Sequence, residues 1–438
     1  MKVYDVIVIG AGPGGYETAA KAAAMGKKTM IAERAQLGGT CLNRGCIPTK
    51  ALSRSAEVAL LMRRAEEFGI KSSGLSVDYS AVAARKDAVV AALREGVAIE
   101  LQGVDVVYGE ASFVGESVVE VNDELYTAQQ IIIATGSRSA VLDIPGAELT
   151  IDSDKLLSLT ELPESMVIIG GGVIGMEFAS ILQAFGVNVT VIEYCKEILP
   201  GFDSEVAKRL RMILKRRGVN IVTSARVIAV EQGITVRYIQ KDKEKSVAAQ
   251  IVLMAVGRRP VLPLGLDEAG VAVERGAIVV DETMATRVPG IYAIGDVNGR
   301  CMLAHAATAQ GAVALGLIRN LNVIPSAVFT VPECATVGLT EEKCQAQGLD
   351  YLTGEMIYRA NGKAQAMGET EGLVKVLVDA KTHHILGGHI CGEHASDLIQ
   401  EIALAMSAGV TADTLVATVH SHPSLSEIVH SAIIKAVR

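Results

Sequence analysis

Short apolar runs broken by glycine set the rhythm of the chain, and two of them repeat one pattern. Residues 6–9 (Val-Ile-Val-Ile) lead into Gly10-Ala-Gly12-Pro-Gly-Gly15, and residues 166–169 (Met-Val-Ile-Ile) lead into Gly170-Gly-Gly172-Val-Ile-Gly175. A four-residue apolar run ending in a glycine turn predicts a buried strand of a parallel sheet. The match continues at a constant offset of 160: Glu17 falls on Glu177, Gly26 on Gly186 and Glu33 on Glu193. Each copy is therefore predicted to run strand, tight turn, helix, second strand.

Elsewhere the spacing predicts helices over 52–67 and 79–101, with strand-like runs at 104–107 and 118–121. Residues 131–136 (Ile-Ile-Ile-Ala-Thr135-Gly136) read as a buried strand ending in a turn, and 144–146 (Ile-Pro-Gly) as a linker. A further apolar run ends in Gly295-Asp296. From about residue 324 the chain carries strands at 373–379 and 385–390 and helices at 396–407 and 426–437, with no glycine fingerprint.

At 438 residues the chain exceeds what one hydrophobic core usually serves. The linker at 144–146 and the change of pattern near 324 set two boundaries. Tryptophan is absent and aromatics make up 4%, so Ala, Val, Ile and Leu must build the core. The formal charge of −8, with no basic block, argues against nucleic acid or an anionic membrane as the main partner. The first apolar run is too short for a signal-peptide core or a membrane span, so a cytoplasmic home is expected. Seven cysteines suit a reducing compartment. Of these, Cys195, Cys301, Cys334, Cys344 and Cys391 are expected to be packing residues.

The glycine turns carry a physical expectation. The first glycine permits the turn, the second lets backbone approach a pyrophosphate, and the third lets helix pack on strand. An acidic residue ending the second strand, Glu33 or Glu193, can bind ribose hydroxyls. Two turns imply two dinucleotides. Glu193 would repel a 2′-phosphate, and Tyr194-Cys195-Lys196 supplies no arginine, so NAD is favoured over NADP; Lys196 alone could neutralise such a phosphate.

Just after the first copy stands Gly38-Gly-Thr-Cys41-Leu-Asn-Arg44-Gly-Cys46-Ile-Pro-Thr-Lys50. Two thiols this close can be structural or part of a metal site. Their place beside a bound dinucleotide points instead to electron exchange with a flavin. Near the C-terminus, His420-Ser-His422-Pro-Ser-Leu-Ser-Glu427 sets two histidines by a proline turn with a glutamate five residues on. Alone, it could be a metal site, a helix start, or a base with its carboxylate partner.

The cysteine stretch closely resembles that of the flavoprotein disulfide reductases (the class I pyridine nucleotide-disulfide oxidoreductases), in wording most like the dihydrolipoamide dehydrogenases. The histidine run resembles the family's HxHPxxSE signature, and the resemblance covers essentially the whole chain. It implies an α/β fold with two Rossmann-like domains, for FAD and NAD, and a C-terminal α+β dimerisation domain. It implies a Cys41–Cys46 disulfide in which Cys41 meets the substrate and Cys46 lies against the flavin. Thr135 and Gly136 would close the first flavin-domain excursion, and Gly257 would lie at the exit of the NAD domain. Asp296 would meet the ribityl chain, and Met302, Leu303, Ala304 and His305 would cover the flavin. Lys50 and Glu177 would pair beside the flavin edge. His422, oriented by Glu427, would be the base, supplied from the other subunit of a homodimer.

The implied reaction oxidises dihydrolipoamide on a lipoyl-carrying protein, with an acyltransferase core of a multienzyme complex as a further docking partner. The rivals are a related NAD(P)H-dependent reductase of another disulfide and a complex-docking scaffold. Arg44, where many relatives carry an aliphatic residue, is expected to lower the pKa of Cys46.

Overall fold

The computed structural model describes residues 1–71, 74–319 and 321–438. The first unit opens with β1 (Lys2–Ile9), α1 (Pro13–Ala24) and β2 (Thr29–Glu33), followed by α2 (Gly39–Arg44), α3 (Cys46–Arg63) and α4 (Tyr79–Glu100). β3 (Asp105–Tyr108), β4 (Ala111–Gly115), β5 (Val118–Val121) and β6 (Glu124–Ile133) complete a sheet ordered β3-β2-β1-β6-β5-β4. β1 pairs in parallel with both β2 and β6, and its apolar residues Val6–Ile9 are buried. β6 is longer than the predicted 131–136 run because its first half turns back on β5 as an antiparallel pair.

Gly10 adopts φ 101° and Gly170 φ 109°, a region open to glycine at little cost. A Cβ on Gly15 would sit 1.8 Å from the Gly10 carbonyl oxygen, and one on Gly175 2.0 Å from that of Gly170. The third glycine of each copy is thus what allows helix and strand to touch. Gly45 ends α2 and starts α3, so the helix predicted from 52 continues from the cysteine stretch, beginning at Cys46.

The second unit repeats the plan. α5 (Ser153–Leu157) precedes β7 (Ser165–Ile169), α6 (Val173–Ala184), β8 (Asn188–Ile192), α7 (Ser204–Arg216) and β9 (Asn220–Val222). An antiparallel ribbon of β10 (Ala225–Glu231), β11 (Thr235–Gln240) and β12 (Lys243–Ala248) intervenes before β13 (Ile251–Met254). The parallel sheet is ordered β9-β8-β7-β13. The incoming and outgoing strands of this unit, Ser137–Ser139 and Arg258–Pro260, pair antiparallel and clasp its neck.

The chain then returns to the first sheet. β14 (Ile291–Ala293) pairs with β6, and α8 (Ala304–Ala314) packs on α1 at backbone contact: a Cβ on Gly14 would meet Ala307 at 2.9 Å. The C-terminal unit is an antiparallel sheet of β15 (Ser326–Val328), β16 (Cys334–Gly338), β17 (Tyr351–Ile357), β18 (Leu373–Asp379) and β19 (Ile385–Cys391). Its helices are α9 (Ala395–Ala408), α10 (Ala412–Ala417) and α11 (Ser426–Val437), with α9 and α11 covering the sheet. The observed class is the expected one, two Rossmann-like α/β units and a C-terminal α+β unit.

α3 packs on α6, and one core cluster runs from Leu52 and Ala56 through Met176 and Ile181 to Val328 and Leu373. The buried ammonium of Lys375 on β18 makes a second joint. It lies 3.4 Å from Asp203 and 3.0 Å from Glu205, both at the start of α7, and pairs also with Glu341.

Candidate active site

A single cleft of about 1920 Å³ runs along the junction of the units and touches both glycine turns. Gly10, Gly12, Gly15, Glu33, Cys41, Cys46, Lys50, Thr135, Gly136, Gly170, Gly172, Glu177, Glu193, Gly257, Asp296, Met302, Leu303, Ala304 and His305 all line it. Gly175 stands behind the second turn, against Gly170. A Cβ on Gly12 or Gly172 would meet nothing within 4 Å, so at each turn bare backbone faces open space at the start of a twelve-residue helix. That is the geometry an anionic pyrophosphate needs, and the residues present fit two dinucleotides.

The two strand-end carboxylates are held before any sugar arrives. Glu33 accepts from the Ala11 amide at 2.7 Å and the Ala35 amide at 2.8 Å. Glu193 accepts from the Gly171 amide at 2.5 Å and the Cys195 amide at 2.6 Å. Each oxygen retains a second lone pair for a ribose hydroxyl. Asp296, expected at the ribityl chain, accepts from Ser137 Oγ, which in turn accepts from Arg258 Nε at 2.7 Å. No local pattern marks Ser137 or Arg258, because their partners come from other parts of the chain.

Cys41 lies in α2 and Cys46 is the first residue of α3, and the two form a disulfide with Cα atoms 4.7 Å apart. An eighteen-residue helix directs its positive end at Cys46 and favours a thiolate there. Asn43, between the cysteines, donates to the carbonyls of Leu37 and Gly39, and Arg94 on α4 donates to its Oδ1. Arg44 does not stand free: its Nε is 3.4 Å from Asp154 on α5. Burial, with Asp152 adding to it, raises the Asp154 carboxyl above its ordinary value against the pull of Arg44 and Arg258.

Four residues after Cys46, on the same helix face, Lys50 reaches Glu177 of α6 at 2.9 and 3.0 Å. Glu177, buried, also accepts from the Phe329 amide at 2.9 Å, and Lys50 Nζ lies 4.4 Å from the Phe329 ring centroid. Phe329 thereby joins a pair the sequence suggested on its own. Of the cysteines expected to pack, Cys334, Cys344 and Cys391 are buried, Cys301 is half-buried and Cys195 is exposed. Cys195 is no packing residue, since it lies just past the end of β8 where its amide is used by Glu193.

His422 and Glu427 stand apart from this cleft. His422 Nδ1 pairs with Glu427 at 3.0 Å, and the other Glu427 oxygen accepts from the Ser424 amide. Those bonds, the amide first, lower the Glu427 carboxyl from its ordinary value. The imidazole is 79% exposed, and the cleft's C-terminal lining is Ser396, Ile399 and Gln400 of α9. His420 turns the other way, to Glu401. The two histidines share no ligand, and among the described residues no cluster of three or more His, Cys, Asp or Glu could hold a metal.

No described helix is long and apolar enough to cross a membrane. The family model for pyridine nucleotide-disulphide oxidoreductases matches residues 4–311, and that for their dimerisation domain matches 324–433. The chain is 42% identical to a dihydrolipoyl dehydrogenase of Thermus scotoductus, over 98% of this chain and 96% of that one. It is 39% identical to one of Bacillus subtilis, over 99% and 98%. A copper(II) complex of the HOCl-induced flavoprotein disulfide reductase RclA from Escherichia coli superposes with a TM-score of 0.88 at 30% identity, covering 99% of each chain. With its disulfide, its paired dinucleotide turns and a family match across most of its length, the chain belongs to the pyridine nucleotide-disulphide oxidoreductases.

Proposed function

We propose that the chain is a dihydrolipoyl dehydrogenase, which oxidises dihydrolipoamide carried on another protein to lipoamide and reduces NAD, working as a homodimer. One observation carries the reading: a Cys41–Cys46 disulfide at a helix N-terminus, in a cleft lined by two dinucleotide turns. Similarity to the dihydrolipoyl dehydrogenases supports the lipoyl substrate.

A substrate thiolate attacks Sγ of Cys41, and Cys46 leaves as a thiolate held by the α3 N-terminus. The second substrate thiol closes on the first sulfur, releasing Cys41 and cyclic lipoamide. His422 of one subunit takes the substrate proton beside Cys41 of the other, and Glu427 keeps its Nδ1 protonated so that Nε2 is the base. FAD, held at the first glycine turn, would supply the two-electron carrier between the Cys41–Cys46 dithiol and NAD.

Gly10, Gly12, Gly15, Glu33, Thr135, Gly136 and Asp296 would hold the FAD, residues 302–305 would lie over it, and Lys50 with Glu177 would tune its edge. Gly170, Gly172, Gly175, Glu193 and Gly257 would hold NAD. On this reading the FAD domain spans 1–143 and 263–323, the NAD domain 144–262 and the interface domain 324–438.

The test is an anaerobic titration of the FAD-loaded protein with dihydrolipoamide, followed by NAD. A long-wavelength thiolate-to-flavin absorption, then NADH, supports the reading. A flavin that NADH bleaches but dihydrolipoamide leaves unchanged refutes the lipoyl substrate and points to another disulfide. Docking on an acyltransferase core belongs to the same proposal, and co-purification with such a core tests it.

A further inference from the structure

The loop that carries His422 joins α10 to α11, and its far end is held by buried Leu425 and by Asn361 Nδ2, which donates to the Ser424 carbonyl at 3.0 Å. Its near end is anchored by the other histidine of the motif. The His420 side chain is 7% exposed. Its Nε2 lies 2.8 Å from Glu401 Oε1 on α9, and its Nδ1 lies 3.1 Å from the Thr418 carbonyl oxygen. The Glu401 carboxylate and the Thr418 carbonyl thus each place an oxygen against one nitrogen of the ring. The ring stacks on His430 of α11, with centroids 4.3 Å apart and planes at 18°, and His430 Nε2 donates to the Val416 carbonyl of α10. The two stacked imidazoles therefore tie the loop to three helices, His420 to α9 and α11 and His430 to α10.

Two residues further on, His422 has a single side-chain partner, Glu427, and is otherwise open to solvent. That partner sets the tilt of the ring and its tautomer. On the α10 side of His422, the place of the loop relative to the sheet, and hence to a second subunit, is set by the His420 contacts. We infer that His420, clamped between Glu401 and His430, is the positioning residue that presents His422 to Cys41 of the partner subunit. The inference rests on the proposed role of His422 as base. It adds that α9, which lines the cleft through Ser396, Ile399 and Gln400, also sets the base through Glu401 one residue on, so both halves of a composite site are referenced to one helix.

The experiment compares the FAD-loaded dimer with Glu401→Ala, Glu401→Gln and His420→Ala. Dihydrolipoamide oxidation reports the base. NADH-dependent ferricyanide reduction draws electrons from the flavin and needs no thiol base. Alkylation of Cys41 by iodoacetamide in the reduced protein, followed against pH, needs no lipoyl substrate. In Glu401→Ala and His420→Ala, lipoyl turnover is expected to fall roughly ten- to a hundred-fold, the loss that displacement of a catalytic group by about 1 Å brings. The alkylation inflection is expected to move up toward the ordinary thiol value of about 8.5, with ferricyanide reduction unchanged. Glu401→Gln, which keeps an acceptor in place, recovers most of the turnover.

Lipoyl turnover in Glu401→Ala within about two-fold of wild type overturns the inference. So does a ferricyanide rate that falls in step with it, because the pair would then hold the fold and not the base. A wild-type protein inert to dihydrolipoamide would refute the lipoyl reading, and the alkylation profile would still decide this one.

Discussion

Because His422 is remote from the cleft of its own chain, mixing two dead enzymes should make a live one. Cys46→Ser removes the thiolate that leaves the disulfide, and His422→Ala removes the base, so each homodimer has two broken sites. General-base loss alone costs about 10²–10⁴-fold. After subunit exchange, two-fold symmetric dimers form in a ratio of about 1:2:1. In the heterodimer, one site combines the intact cysteines of one subunit with the intact histidine of the other, and its second site lacks both. Half of the dimers then carry one working site in two, and dihydrolipoamide oxidation should return to about one quarter of wild type. Were base and disulfide of one chain to work together, every heterodimer site would be broken. The assay is lipoyl turnover of the mixture before and after exchange under mild denaturant, with the parents carried through separately. A mixture that exchanges subunits, shown by mass, yet stays at parental activity refutes the shared site.

The two kinds of glycine should separate stability from binding. Gly175→Ala forces a methyl against the Gly170 carbonyl and should cost about 1–3 kcal/mol in a denaturant melt, whereas Gly172→Ala, facing open space, should leave the melt unchanged and raise KM for NAD; equal melts for the two would refute the assignment. Contact with Glu205, then burial, pushes Glu355 up to about 7, so the folded state holds a proton that the unfolded chain releases near its ordinary 4.5. This contribution is whole below the unfolded value and is lost as pH rises through about 7. Glu355 is more than a third exposed, which discounts it to about 1 kcal/mol or less. Glu355→Gln should therefore flatten the decline in urea midpoint between about pH 5 and pH 8, and an unchanged slope would contradict the shared proton. Arg44→Val should raise the Cys46 thiolate pKa by roughly half a unit, only a modest amount because Asp154 already neutralises part of that charge; a titration of thiolate absorption with no rise would show Arg44 to be an interdomain tie alone.

Much of this architecture could be read before the coordinates because its signals are local. A positive-φ turn needs glycine at Gly10 and Gly170, and a helix that touches its strand needs glycine at Gly15 and Gly175, so the Rossmann-like units announce themselves within ten residues. Val118–Val121, Leu373–Asp379 and Ser426–Val437 fall where the apolar spacing puts them. The β10–β12 ribbon escaped because Lys243–Ala248 has no buried face to impose an alternation. The Ser137–Asp296 and Lys375–Asp203 contacts escaped for another reason. Their partners lie more than 150 residues apart, and a lone serine or lysine has nothing local to mark it. His422 is legible because the two histidines, the proline and Glu427 all lie within residues 420–427.

The return of β14 and α8 to the first sheet has a consequence for how the protein comes into being. Synthesis delivers the N-terminal βαβ unit first, but its sheet stays open along the end of β6 and its α1 lacks its main helix neighbour until residue 314 has emerged. The inserted second unit, whose sheet strands all lie between residues 165 and 254, needs nothing that comes later to close its sheet. The later-encoded domain can thus be complete on the ribosome while the earlier one waits, exposing the apolar face that α8 will cover. A nascent chain halted before residue 291 should accordingly be resistant to protease in its middle and cleavable at its start.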